Sequence, residues 1–238
     1  DPALQAQLDS TERNPILELT SEDPDGGIPF NGQKLHNVDE PEVTPEICKH
    51  SNGAYYIVYS RVQTTPARTD LYLKVSNAER TQWLTEIALT AAASGTHNEY
   101  PSIVELASGK LGVVYSERIG AAQILRFLLV SAAGAVTAGP TTISSTGKFY
   151  ESSVVKLADN THLLVAARDN GGTWEIIRST HIAGDWTAWS ATATLAYSGA
   201  TVTGEKRRPF IREISSSGLS CWIMFDRVDV TAGSLKQR

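Results

Sequence analysis

The feature that most constrains this chain is a hairpin that recurs along it. Residues 101–118 read PSIVELASGKLGVVYSER: an apolar run, a turn over Ser108-Gly109-Lys110, and a second apolar run. β-branched and aromatic residues on both sides of a Gly turn are the signature of two paired strands. The same unit stands at residues 45–61 (PEICKHSNGAYYIVYSR), at 209–227 (PFIREISSSGLSCWIMFDR) and, more worn, at 152–169 (SSVVKLADNTHLLVAARD). Ile47, Ile103, Val154 and Ile211 occupy one position of the repeat. Gly53, Gly109 and Asn160 follow six residues later, at a turn position where Gly and Asn tolerate a positive φ.

Successive copies stand about fifty residues apart, the period of a propeller blade or a similar array. Each hairpin is followed by further strand-like runs. Third strands are expected at 70–76, 123–131 and 174–180, and fourth strands at 83–89, 136–143 and 186–195. Long helical patterns between the strands are absent, which argues against a parallel α/β sheet. The expected fold is therefore all-β: a propeller of four-stranded antiparallel blades, about four to six in number, with a ring that this chain can leave incomplete. Repeats are placed at 41–96, 97–147, 148–203 and, in part, 204–238, behind an N-terminal segment at 1–40. In that segment Asp1-Pro2, Leu4 and Leu8 suit a short helix, and ILELT at 16–20 reads as a strand. SEDPDGG at 21–27 reads as an ordinary turn without the later ligands of a calcium loop, and short strands are expected at 28–30 and 33–36. An unfinished last blade needs an outer strand, because an open sheet edge invites aggregation. The 16–20 strand is the natural donor.

Composition excludes several classes. A net charge of −5 gives no global field for nucleic acid. The cluster Lys206-Arg207-Arg208 with Arg212 is too short to supply one. No apolar run reaches the ~18 residues that span a bilayer. His36, His50, His97, His162 and His181 lack metal-ligand spacing, and no nucleotide or nucleophile-elbow motif is present. Neither a metal nor a cofactor is expected. Met224 is the single Met, so the chain reads as a processed or trimmed piece of something longer. Cys48 and Cys221, in the first and last hairpins, read as buried thiols. A disulfide would require those hairpins side by side.

Ser76 is followed seven residues later by Trp83, and Ser179 by Trp186. A Trp there can pack between adjacent sheets. With 179–186 reading STHIAGDW, these repeats resemble the sialidase-type repeat, whose Asp box runs Ser-x-Asp-x-Gly-x-Thr-Trp. His181 stands for the Asp, Ala183 for the Gly and Asp185 for the Thr. Residues 169–174, DNGGTW, spell the second half of the box but fall between a second and a third strand, and read as a hairpin turn. The resemblance covers residues 41–238 and implies a propeller. For an active member it implies an Arg triad, a Tyr–Glu nucleophile pair and an Asp acid. Arg207, two before Pro209, matches the family's Arg-x-Pro spacing, with Lys206 and Arg208 departing from it. Tyr100 and Tyr150, each beside a Glu, are the possible nucleophiles. The run QAQLDSTERNPILELT, with GIPFNGQKL after it, resembles the opening of propeller-bearing bacteriophage tail and virion proteins.

The start of each innermost strand and the end of each second strand lie at one end of a hairpin. That end carries Arg61 in the first copy, Glu99, Tyr100, Glu117 and Arg118 in the second, and Tyr150, Glu151, Arg168 and Asp169 in the third. In the fourth it carries Arg207, Arg208, Asp226 and Arg227. In a radial array these thirteen residues ring the mouth of the channel. One reading is a glycan site, since Arg forks bind carboxylates and Tyr stacks on sugars. The other is a repeat-wide structural ion pair. No complete catalytic set is assigned. The expected function is a non-catalytic recognition or structural module that binds glycan on a virion tail or an extracellular surface, with other virion or surface proteins as possible partners. The alternative is a sialidase-like glycoside hydrolase.

Overall fold

The computed structural model describes residues 42–77, 79–181, 189–195, 205–213, 221–229 and 234–237. The expected N-terminal helix and strands, and Trp186, lie outside the described residues. Fifteen strands and no helix are found among the described residues. They group as blades. The first holds β1 (Glu42–Lys49), β2 (Tyr55–Thr64), β3 (Ala67–Val75) and β4 (Ile87–Ala88). The second holds β5 (Thr96–Glu105), β6 (Leu111–Ile119), β7 (Ala122–Val130) and β8 (Val136–Ser144). The third holds β9 (Lys148–Lys156), β10 (His162–Asn170), β11 (Thr173–His181) and β12 (Ala193–Thr194). The fourth holds β13 (Glu205–Glu213), β14 (Cys221–Asp229) and β15 (Ser234–Gln237). Within each blade consecutive strands pair antiparallel. A single parallel bridge, Thr69 to His97, joins the first blade to the second.

The first strand of every blade packs on the first strand of the next, β1 on β5, β5 on β9 and β9 on β13. That is the arrangement of blades around an axis: the fold is a β-propeller. Side chains alternate along each strand, so every blade has a leading face toward the preceding blade and a trailing face toward the following one. Cores fill the spaces between. Tyr56, Val58, Leu71 and Leu73 of blade one meet Ile103, Val113, Tyr115 and Leu128 of blade two. Val104, Val114, Phe127 and Leu129 meet Val154, Leu164, Ala166 and Ile177. Leu163, Val165, Ala167 and Ile176 meet Ile211, with Ile223 and Phe225 packed against them. Each fully buried aliphatic or aromatic side chain contributes about 1.5–3 kcal/mol relative to exposure.

The turn inside each hairpin is a repeated device. Leu106 N–H donates to the Lys110 carbonyl and Gly109 N–H to the Leu106 carbonyl. His50 with Gly53, and Leu157 with Asn160, make the same bonds. The closing residue has φ of 88° at Gly53, 71° at Gly109 and 63° at Asn160, the left-handed region open to Gly and Asn. Side-chain bonds lock neighbouring blades through backbone groups. Val154 N–H donates to Ser102 Oγ at 3.1 Å and Ile211 N–H to Ser153 Oγ at 3.3 Å. Glu105 accepts from Ser51 N–H at 2.9 Å, and Glu213 from Ala158 N–H at 2.8 Å.

Ser76 pairs with Trp83 across an isolated bridge, and Trp83 packs on Ile57 and Tyr59. In the third blade it is Trp189 that bridges to His181, with its ring 5.9 Å from Phe127. The expected fourth strands of blades one and three shrink to two residues each, β4 and β12. Residues 169–174 form the β10–β11 hairpin, with Asn170 opposite Thr173. Cys48 and Cys221 are separate, half-buried thiols, one against the core between blades one and two, the other against that between blades three and four.

Candidate functional site

The polar ends of the hairpins do come to one rim. Glu42 lies opposite Arg61, Glu99 opposite Ser116, Asn98 opposite Glu117, and Lys148 opposite Asp169. Arg207 lies opposite Asp226, and Lys206 opposite Arg227. The side chains of Arg207, Arg208, Asp226 and Arg227 lie outside the described residues.

Each innermost strand carries a β-bulge at this rim. The extra residues are Thr44-Pro45, Tyr100-Pro101, Tyr150-Glu151 and Arg208-Pro209. Pro cannot donate to a ladder, which suits it to a bulge. Thr44 and Tyr100 sit at φ of 53° and 54°. Such a conformation is costly for a β-branched or bulky residue, by about 1–3 kcal/mol. Bulges re-aim side chains and collect beside binding sites. Tyr100 and Tyr150 therefore leave the regular ladder at matching places in adjacent blades.

The Arg residues divide by register. Ile47, Ile103, Val154 and Ile211 face Ile57, Val113, Leu164 and Ile223. Four residues further along the second strand stand Arg61, Glu117, Arg168 and Arg227. Arg118 is thus one place out of register with the others and lies on the opposite face of its blade. The expected recurrence of Arg holds in three blades, and in the second the position is acidic.

At this position each of the first three blades has an Arg–carboxylate pair on its leading face. Arg61, 6% exposed, grips Glu86 through both terminal nitrogens, lies 4.1 Å over the Tyr72 ring and shares Glu86 with the Tyr59 hydroxyl. Burial pushes the Glu86 carboxyl up, but the bonds from Arg61 and Tyr59 outweigh it and hold the group below the usual range. Arg168 pairs with Glu175, its Nε 2.8 Å from Oε2. In blade two the order is reversed: Arg126 on β7 donates to Glu117 on β6, at 2.9 and 2.6 Å. These are intrablade structural pairs.

A second set of rim residues lies apart from these pairs. Arg118 donates to Glu99 at 2.9 and 3.3 Å on the trailing face of blade two, with its side chain 39% exposed. The hydrogen bond to Glu99, with a further contribution from the Tyr100 phenol, raises the Arg118 pKa. In blade three the Tyr150 ring lies 5.0 Å from that of Trp174, both half-buried. Glu151 is half-buried beside Tyr150. Asp169 is spent on its own turn, accepting the Gly172 N–H at 2.6 Å. Trp174, Glu86, Glu175 and Arg126 were not among the sequence candidates. The Arg168–Glu175 pairing was readable, since a two-residue turn at Gly171-Gly172 sets those residues opposite one another. Glu86 comes from an irregular link and gave no such signal. Among the described residues no group of three or more His, Cys, Asp or Glu could hold a metal ion.

No family model matches the sequence, and no curated protein matches it. Solved structures do share the architecture. An N-acetylgalactosamine deacetylase from F. plautii, in complex with blood group B trisaccharide, superposes with a TM-score of 0.58 at 10% identity, over 85% of this chain and 69% of that one. An endo-arabinase from Bacteroides thetaiotaomicron gives 0.56 at 10% identity, over 82% and 72%. A Penicillium chrysogenum α-L-arabinanase complexed with arabinobiose gives 0.54 at 16% identity, over 82% and 61%. This chain thus spans between 61 and 72% of the two arabinan-degrading enzymes. At such identities the likeness is one of fold.

Proposed function

We propose that the protein handles carbohydrate at the propeller rim, and that it cleaves a glycosidic bond there. The observation that carries the reading is the pair of rim bulges, which take Tyr100 out of the ladder one residue from Glu99, itself paired with Arg118, and Tyr150 out of it next to Glu151 in the following blade. Aromatic faces for sugar rings, an Arg fork and two carboxyls from neighbouring blades are the components that a glycosidase site needs. Propellers of similar fold named as arabinan-degrading enzymes support this choice of substrate class. Release of reducing ends from arabinan, galactan and a panel of aryl glycosides and sialosides tests it. With Glu99 and Glu151 as the acid–base pair, Glu99→Gln and Glu151→Gln should each cut turnover by about 10²–10⁴-fold. Turnover unchanged in both variants sinks the assignment of these two carboxyls.

A second reading is recognition without turnover, in a setting on an extracellular or virion surface. The engagement of Glu86, Glu117 and Glu175 by Arg side chains favours it, because it leaves few rim carboxylates for chemistry. Binding on a glycan array with no hydrolysis of the bound sugar would select this reading over the first.

A further inference from the structure

Blade three departs from the repeat at one place on the rim. Thr69, Gln123 and Trp174 hold the same position of the third strand, opposite Val62, Arg118 and Asp169. Thr69 and Gln123 are buried, and the Thr69 hydroxyl lies 2.9 Å from His97 Nδ1. In blade three the position carries a half-buried indole instead, although the fold is built elsewhere without one. Lys148, Asp169 and Trp174 stand opposite one another in a row across β9, β10 and β11, and residues so placed share a face of the sheet. The Tyr150 ring, two residues from Lys148, lies 5.0 Å from the indole at an interplanar angle of 35°. Both rings pack against the core between blades three and four and remain half-buried. The turn that leads into Trp174 is exposed from Asn170 to Thr173, and a Cβ built on Gly171 or Gly172 would meet nothing within 4 Å. That turn is bare of bulky side chains.

We propose that Tyr150 and Trp174 form a stacking subsite for an uncharged sugar ring. The inference rests on the carbohydrate reading above and adds to it the part of the site that holds the apolar face of the sugar. The face of an indole or phenol ring is the negative side of its quadrupole. A sugar ring presents C–H groups of weakly positive character on its faces, while its hydroxyls project around the edge. Two rings tilted by 35° offer such a face a shallow aromatic floor. Lys148 and Asp169, in the same row, put a donor and an acceptor at its margin for the hydroxyls. Aromatic lining with a few placed polar groups is the usual make-up of a small-molecule site. An acidic sugar would meet the carboxylates of Glu151 and Asp169 against the ammonium of Lys148, since the Arg168 guanidinium is held by Glu175.

Fluorine NMR of the full chain, with all five Trp replaced by fluorotryptophan, tests it beside calorimetry. Trp174→Phe identifies the Trp174 resonance by its loss. The probes are linear arabino- and galacto-oligosaccharides, lactose and sialyllactose. A bound neutral oligosaccharide should shift the Trp174 resonance and leave in place those of Trp83 and Trp189, which pack in blade one and between blades two and three. Trp174→Ala and Tyr150→Ala should each weaken that binding at least about tenfold, and Trp174→Phe should keep most of it. A neutral oligosaccharide bound with an unmoved Trp174 resonance overturns this inference and leaves the carbohydrate reading standing. Sialyllactose bound more tightly than lactose overturns the choice of an uncharged sugar. Binding of none of the probes overturns the carbohydrate reading, and the subsite falls with it.

Discussion

Charge reversal at one rim pair separates a structural role from a ligand role. Arg168 and Glu175 face each other across the β10–β11 hairpin, with side chains only 10% and 11% exposed. Arg168→Met leaves Glu175 in that desolvated edge without its partner. Removing one member of a buried pair costs about 3–5 kcal/mol, because the remaining charge keeps its desolvation penalty. With a urea m-value of about 1–3 kcal/mol/M the midpoint should fall by more than about 1 M. The double variant Arg168→Glu with Glu175→Arg should recover much of the loss. The equivalent place in blade two already carries the reversed order, Glu117 with Arg126, so this edge accepts either polarity. A double-mutant cycle by urea denaturation should give a coupling of about 2–3 kcal/mol. A loss below about 1 kcal/mol in Arg168→Met would place the pair with screened surface bridges and refute the argument. Intact stability with lost glycan binding would instead return Arg168 to the ligand set.

Three further outcomes follow from local geometry. Burial, with a smaller push from His181, lowers the His162 pKa from 6.5 to about 4, so the unfolded chain takes up the proton first. Stability contributed here is complete above about pH 6.5 and is lost as pH falls toward 4, on the order of 3 kcal/mol in all, and urea titrations of His162→Gln should show a flatter profile over that window. Gly109→Ala should cost about 1 kcal/mol, since its φ of 71° is unfavourable but nothing lies within 4 Å of the added carbon. Gly139→Ala should cost about 1–3 kcal/mol more, because its Cβ would meet the Phe127 carbonyl oxygen at 2.6 Å, and thermal melts should rank the two in that order. Ser102→Ala leaves the Val154 N–H without its acceptor between blades two and three and should lower stability by about 1–3 kcal/mol in the same assay.

The architecture was legible because its signals are local. A Gly or Asn at a turn of positive φ, β-branched runs beside it, and a period near fifty residues point to one answer. The short outer strands were not legible: β4 and β12 are two residues each, fixed by pairing to a neighbour rather than by propensity. The rim was legible as a place, since hairpin ends are set by register. Its partners were legible only where a tight turn fixes that register, as at Gly171-Gly172. The face on which Arg118 lies was missed because a shift of one residue reverses a side chain's direction. In sequence it stands at the end of its second strand as Arg61, Arg168 and Arg227 do, but one residue further on.

Repetition itself then sorts the rim residues. At the Arg61, Glu117 and Arg168 position the sign of the charge changes between blades, yet a pair is present each time. A ligand would demand one sign; a desolvated sheet edge demands only neutrality. At the bulge the opposite holds. The backbone detour recurs in every innermost strand, but the residue it presents changes from Thr44 to Tyr100, Tyr150 and Arg208. A detour that served packing alone would favour one side chain, as the buried Val58, Val114 and Val165 position does. The fold thus repeats one backbone detour at four equivalent places and fills it with a different residue in each, so the bulge is set by the repeat and the residue by the individual blade.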